Sequence, residues 1–259
     1  MLILLLILLM IISGLAVPLF LPVFSPLKIR NYKGKLIPTG VGAVFAISAA
    51  VLNLLAGRGR EDNLVFALLI LAFAFLGFID DSLGTGERKG FLGHLGACGL
   101  STGGLKALGG GAFALLVGFL YGQSSGEGIL NGLILALAAN FLNLLDLRPG
   151  RAGKVFLVLA GLFLACKPLK LRPLFYLTAA AAGYLFWDLK EAATMGDAGA
   201  NALGAALGWA AVVTLPFYFK IITALGLFSL NLASEKVSFS QIIDSNAVLR
   251  FLDRLGRLE

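Results

Sequence analysis

Two adjacent carboxylates, Asp80 and Asp81, close the segment Gly77-Phe78-Ile79-Asp80-Asp81, which is otherwise apolar enough to sit in a bilayer. Ionised acids are costly there, so acids at a membrane face usually have a job. Paired carboxylates suit a hard cation such as Mg²⁺, or a general base held beside one. A helix end that is simply hydrated would look the same. Far down the chain, Met195-Gly196-Asp197-Ala198-Gly199 sets another acid between glycines at the start of an apolar stretch. Glycine lets backbone N–H groups approach an anion, and a helix N-terminus favours phosphate. Asp197 is therefore a candidate metal ligand, with an N-cap aspartate as the plain alternative. Asn140, Asn143 and Asp146 recur at three-residue steps and so fall near one helical face. Asparagine in lipid needs a partner, which is either a polar cleft or a neighbouring helix. Three acidic helix ends on one face predict a metal and phosphate site.

The elements that must position these groups are legible in the composition. Of 259 residues, 59% are hydrophobic and only 14% are charged, and the mean hydropathy is +0.93. A soluble domain carries about 25% charged residues, so an all-α, polytopic integral membrane bundle is expected. The 33 glycines suit close helix–helix approach in lipid. Apolar runs broken at charged or Gly/Pro clusters give about nine spans. They cover roughly 2–24, 37–56, 63–79, 103–122, 129–146, 152–166, 172–188, 198–214 and 216–233. The first run lacks a basic leader and is long enough to be a retained span rather than a signal peptide. Residues 1–233 are read as one transmembrane bundle and 234–259 as an amphipathic tail. In the tail, Ile242, Ile243, Val248, Leu249, Leu252 and Leu255 recur near helical spacing among charges, which fits a helix on the membrane surface or on the protein.

Placing the N-terminus outside puts 15 Lys and Arg residues on one face and 6 on the other. The first face is then cytoplasmic by the positive-inside rule, and so is the C-terminus. Asp80, Asp81, Asn140, Asn143, Asp146 and Asp197 fall on that same face, although the count did not use them. The net charge of +7 is explained by topology, and no nucleic-acid partner is expected. Cys98 and Cys166 are far apart and read as free thiols, and His94 is the only histidine. Lys35, in Lys33-Gly34-Lys35-Leu36-Ile37-Pro38-Thr39-Gly40, either grips a phosphate or anchors a span. The same pair of readings applies to Arg88 and Lys89, and to the cluster Arg148, Arg151 and Lys154.

Taken together, these elements resemble the polyprenyl-phosphate N-acetylhexosamine-1-phosphate transferase family. That family includes phospho-N-acetylmuramoyl-pentapeptide transferase and the undecaprenyl-phosphate N-acetylglucosamine-1-phosphate transferases. The resemblance runs from about Lys35 to Gly208 and rests on four motifs in family order: Lys35 to Gly42, Gly77 to Asp81, Asn140 to Asp146, and Met195 to Gly199. It implies Mg²⁺-dependent transfer of a sugar-1-phosphate from a UDP-sugar to a polyprenyl phosphate, in envelope glycan synthesis at the bacterial cytoplasmic membrane. It implies Asp197 as the metal ligand, with Asp80, Asp81 and Asp146 as catalytic carboxylates. Lys35, Asn140, Asn143, Arg148, Arg151 and Lys154 would contact substrate. The partners implied are the lipid phosphate, the nucleotide sugar and a second copy of the chain.

The sequence departs from the family pattern on the nucleotide side. Pro149 stands where a second acid is usual after Asp146, Thr194 replaces an aromatic residue before Met195-Gly196-Asp197, and Trp187 replaces an asparagine. The late histidine-rich loop and final span are replaced by the tail. Two readings follow: a divergent enzyme, or a non-catalytic relative that binds polyprenyl phosphate or a protein partner. A transporter built on midplane acids fits less well, because the acids fall at helix ends on one face.

Overall fold

The computed structural model describes residues 2–57, 60–84 and 102–257. Arg88, Lys89, His94 and Cys98 lie outside the described residues. Helices run through each of the apolar stretches. They are α1 (Leu2–Phe24), α2 (Gly42–Ala56), α3 (Glu61–Leu83), α4 (Thr102–Leu120), α5 (Ser125–Leu145), α6 (Arg151–Cys166), α7 (Arg172–Leu189), α8 (Gly196–Thr214) and α9 (Phe217–Ser234). Two short helices, α10 (Phe239–Ser245) and α11 (Ala247–Arg254), form the tail. Among the described residues four helices, α1, α3, α5 and α9, are each long and apolar enough to cross a membrane.

The centre of the bundle is α8. Every residue from Ala198 to Val213 is buried. Its Ala- and Gly-rich sequence is what makes this possible, because small side chains let neighbouring backbones come close. At Gly204 an added Cβ would stand 2.3 Å from the Ala138 carbonyl oxygen, so α8 rests on the α5 backbone itself. Trp209 fills the far end of the core against Phe66, with ring centroids 4.8 Å apart. By contrast α1 and α9 are peripheral. Leu4, Leu15 and Leu19 on α1, and Tyr218, Ile222 and Leu225 on α9, are all more than half exposed. Such apolar surface is sustainable in lipid and not in water. Ser13 is buried and satisfies its hydroxyl by donating to the Ala180 carbonyl of α7 at 2.9 Å.

One element departs from the all-helical expectation. An antiparallel hairpin, β1 (Lys28–Arg30) and β2 (Leu36–Pro38), precedes α2. Its turn is built by Asn31, whose side-chain oxygen accepts from the Lys33 and Lys35 amides at 3.0 and 2.9 Å. That side-chain turn competes with helix formation. The second helix accordingly starts at Gly42 rather than at residue 37.

Candidate active site

Asp81 reaches from the last turn of α3 to the start of α8. Its Oδ1 accepts the Asp197 amide at 3.1 Å and its Oδ2 accepts the Ala198 amide at 3.0 Å. The first N–H groups of a helix have no internal partner, and a carboxylate there is favoured by hydrogen bonding and by the helix dipole. A residue on a different helix thus caps α8. The Thr39 hydroxyl, just after β2, donates to the same carboxylate at 3.4 Å. The expected phosphate seat at this helix start is thereby occupied by protein, and Asp81 holds the site together.

The turn itself has no spare room. Gly196 has φ +65°, and a Cβ there would lie 2.5 Å from Asp81 Oδ2 and 2.6 Å from the Gly40 amide nitrogen. The hairpin is laced into it: the Thr194 amide donates to the Pro38 carbonyl at 2.9 Å, and the Gly42 amide donates to Met195 at 3.0 Å.

Around this turn the structure gathers Asp80, Asp197 and Asn143. Asn143 donates from Nδ2 to Asp197 Oδ2 at 3.2 Å. The Lys106 ammonium, on α4, bonds to Asp197 Oδ2 and stands 3.6 Å from Asp80 Oδ2. The Asp80, Lys106 and Asp197 side chains are each about a quarter exposed. The sequence reading missed Lys106 as a site residue and counted it only toward topology. The available signal was a lone cation inside the fourth span, among glycines. Asp146 joins from the end of α5, where its Oδ2 accepts from the Thr194 hydroxyl at 3.3 Å. Thr194, at the position where an aromatic was expected, instead ties Asp146 to the Gly196 turn, since its hydroxyl also accepts the Gly196 amide at 3.4 Å.

Other expected site residues are engaged elsewhere. Asn140 donates to Asn231 Oδ1 on α9 at 2.6 Å, which makes it a helix–helix contact. Lys35 is exposed on the hairpin. Arg151 is 3% exposed and grips Asp253 of the tail through two nitrogens at 2.7 and 3.1 Å. Lys154 donates to the carbonyls of Leu252, Asp253 and Leu255, the unsatisfied end of α11. Arg148 lies 3.7 Å from Asp244 and 4.3 Å from the centre of the Tyr32 ring. The basic cluster expected to meet substrate is therefore the seat of the tail. Trp187 donates to the Gly14 carbonyl of α1 at 2.7 Å.

Glu191 was not singled out in the sequence, yet it braces the loop before Asp197. It is 7% exposed, has φ +52°, and accepts from Asn31 at 2.8 Å, Tyr32 at 3.0 Å and Lys33 at 2.7 Å. Burial acts to raise its pKa, but the Lys33 ammonium and the Tyr32 hydroxyl more than offset this and hold it below the ordinary 4.5. At the opposite end of the bundle a cavity of about 720 Å³ is lined by Asp62, Tyr121, Glu127, Lys170, Phe217 and Lys220. None of the expected site residues lines it, and its Lys220 and Glu127 already pair at 2.8 Å.

The donor set fits a hard divalent cation. Asp80 and Asp197 already share one positive charge, the Lys106 ammonium. Among the described residues no three acidic, histidine or cysteine side chains converge as a closed metal cage. Magnesium is typically held by one or two carboxylates, with water and substrate phosphates completing its shell, and Asp80 and Asp197 would serve as such a pair with Lys106 turned to the phosphate.

No curated protein matches this chain. The family model for glycosyl transferase family 4 matches residues 63–215, a span that includes Asp80, Asp81, Asn143, Asp146 and Asp197 but neither the hairpin nor the tail. That match covers more than half of the 259 residues, and the chain belongs to glycosyl transferase family 4, the polyprenyl-phosphate sugar-1-phosphate transferases.

Proposed function

We propose that this protein transfers a sugar-1-phosphate from a UDP-sugar to a polyprenyl phosphate, with Mg²⁺, at the cytoplasmic face of a bacterial membrane that the chain crosses about nine times. The observation that carries the reading is the Asp80–Lys106–Asp197 cluster, with Asn143, on one end of an apolar bundle. Phosphoryl transfer needs charge neutralisation and in-line placement more than covalent chemistry. Lys106 supplies a fixed positive charge for a phosphate oxygen. Asn143 orients the Asp197 carboxylate, and Asp81 keeps the Asp197 turn against α3. Asp80 and Asp197 would hold the magnesium ion, which when bound neutralises phosphate charge. The lipid phosphate would enter from the bilayer side and the nucleotide from the water.

A second reading is a non-catalytic relative that binds polyprenyl phosphate. The tail's capture of Arg151 and Lys154 favours it, because those cations already bond to Asp253 and to the tail carbonyls, with Arg148 3.7 Å from Asp244. The test is transfer of radiolabel from a panel of UDP-sugars to undecaprenyl phosphate by the purified protein with Mg²⁺. Lipid-linked product from the wild type and none from Asp197→Ala is the expected result. Binding of the lipid phosphate without product from any donor would move the conclusion to the second reading.

A further inference from the structure

The tail helix α11 is attached to the bundle by its polar side. Asp253, 6% exposed, is its one buried residue and sits between Arg151 and Arg257. At about 100° per residue, Val248, Leu249, Phe251 and Leu252 form one stripe. Asp253 lies about a third of a turn round from its centre, and Arg250 and Arg254 lie opposite. The stripe is bare: Val248 is 67% exposed, Phe251 65%, Leu252 50%, and Leu255 just beyond 54%.

We infer that this stripe lies in the lipid leaflet at the carboxylate end of the bundle, and that the leaflet is anionic. Three features select that occupant. The helix is held at the depth of the bundle's edge, since Arg151 and Lys154 are in the first turn of α6. The chain leaves the span-length helix α9 at Ser234, only a short connection before the tail helices begin. The charges also favour the cationic side: Asp253 is buried between Arg151 and Arg257, and Asp244 lies 3.7 Å from Arg148, while Lys236, Arg250 and Arg254 outnumber Glu235 and Asp244 on the exposed surface. An apolar stripe with arginines on the opposite face is the pattern of an interfacial helix.

The full chain in nanodiscs, with Cys98→Ser and Cys166→Ser, provides the test. Spin labels are placed singly at Val248→Cys, Leu252→Cys and Arg250→Cys. Their collisions with oxygen, which concentrates in lipid, are compared with those with a water-soluble nickel chelate. The expected result is oxygen dominance at 248 and 252, nickel dominance at 250, and a smaller contrast when phosphatidylglycerol is replaced by phosphatidylcholine. Equal nickel access at all three sites would overturn the inference, as would shielding of 248 and 252 from both reagents, the mark of a protein partner or a second copy. A contrast indifferent to lipid charge would overturn its anionic part. Should the labels perturb folding, Phe251→Trp with brominated lipid, corrected for Trp187 and Trp209, reads the same depth.

Discussion

Replacing Gly77 with alanine tests whether the site depends on backbone contact between α3 and α8. Gly77 lies one turn before Asp80 and Asp81, and an added Cβ would sit 2.3 Å from the Asp197 carbonyl oxygen and 2.6 Å from the Ala198 nitrogen. Real Cβ atoms essentially never approach closer than 3.0 Å, so the two helices must part by at least 0.7 Å, the difference between 3.0 and 2.3 Å. The obstructing atoms are backbone, so no side chain can swing aside. A shift of that size along the Asp81 bond to the Asp197 amide would stretch it from 3.1 Å to about 3.8 Å, beyond hydrogen-bonding range. Overpacking of this kind costs about 1–3 kcal/mol of stability. A misplacement near 1 Å at a reacting centre costs about 10²-fold in rate. Gly161 is the control: it also lies within a helix, α6, but nothing stands within 4 Å of its Cβ position. Alanine there should stabilise by about 0.5–1 kcal/mol and leave transfer unchanged. Radiolabel transfer and the thermal midpoint in detergent are measured on both variants. Wild-type transfer by Gly77→Ala, or an equal loss in Gly161→Ala, would refute the reasoning.

Lys106→Met keeps the aliphatic stem and removes the charge shared by Asp80 and Asp197; turnover is expected to fall about 10²–10³-fold. Undiminished turnover removes Lys106 from the site. Asp253→Ala strands the Arg151 charge, whose side chain is 3% exposed, and breaking such a buried pair costs about 3–5 kcal/mol. Limited proteolysis should then release the tail, whereas an Arg151→Met, Asp253→Met double variant should restore much of the protection. Glu191 has a lowered folded pKa, so its contribution is fully present above the ordinary 4.5 and is lost as pH falls through the folded value. The difference in thermal midpoint between wild type and Glu191→Gln should therefore be large at neutral pH and close in acid. A pH-independent difference would show that the brace is not electrostatic.

Much of the fold could be read from hydrophobic runs, because each helix buries or faces lipid along its whole length and its ends are marked by charge or Gly/Pro. The convergence of Asp80, Asn143 and Asp197 was readable for a related reason: polar groups at the ends of apolar helices on one face have few places to go. What each polar group bonds to was not readable. Asn140 and Asn143 share a helix and a chemistry, yet Asn140 meets Asn231 while Asn143 meets Asp197. Only the packing of α9 and α8 against α5 decides between them. Arg148, Arg151 and Lys154 look like a diphosphate site until the tail folds back from Asp244 and Asp253. Glu191 was invisible because its bracing role depends on a hairpin 160 residues earlier in the chain.

The capping of α8 by Asp81 also bears on how the protein is made. The carboxylate and the amides it satisfies are separated by 116 and 117 residues, so Asp81 is synthesised long before the helix it caps. Until that helix arrives, the carboxylate has none of the α8 amides to accept from. The Ala/Gly-rich α8 has little surface for lipid and is enclosed on all sides in the finished bundle. Its docking therefore fills the centre of the core and assembles the acidic site in one event. A chain arrested before residue 196 would lack both Asp197 and the amides that Asp81 holds, so the acidic cluster cannot form until α8 is in place.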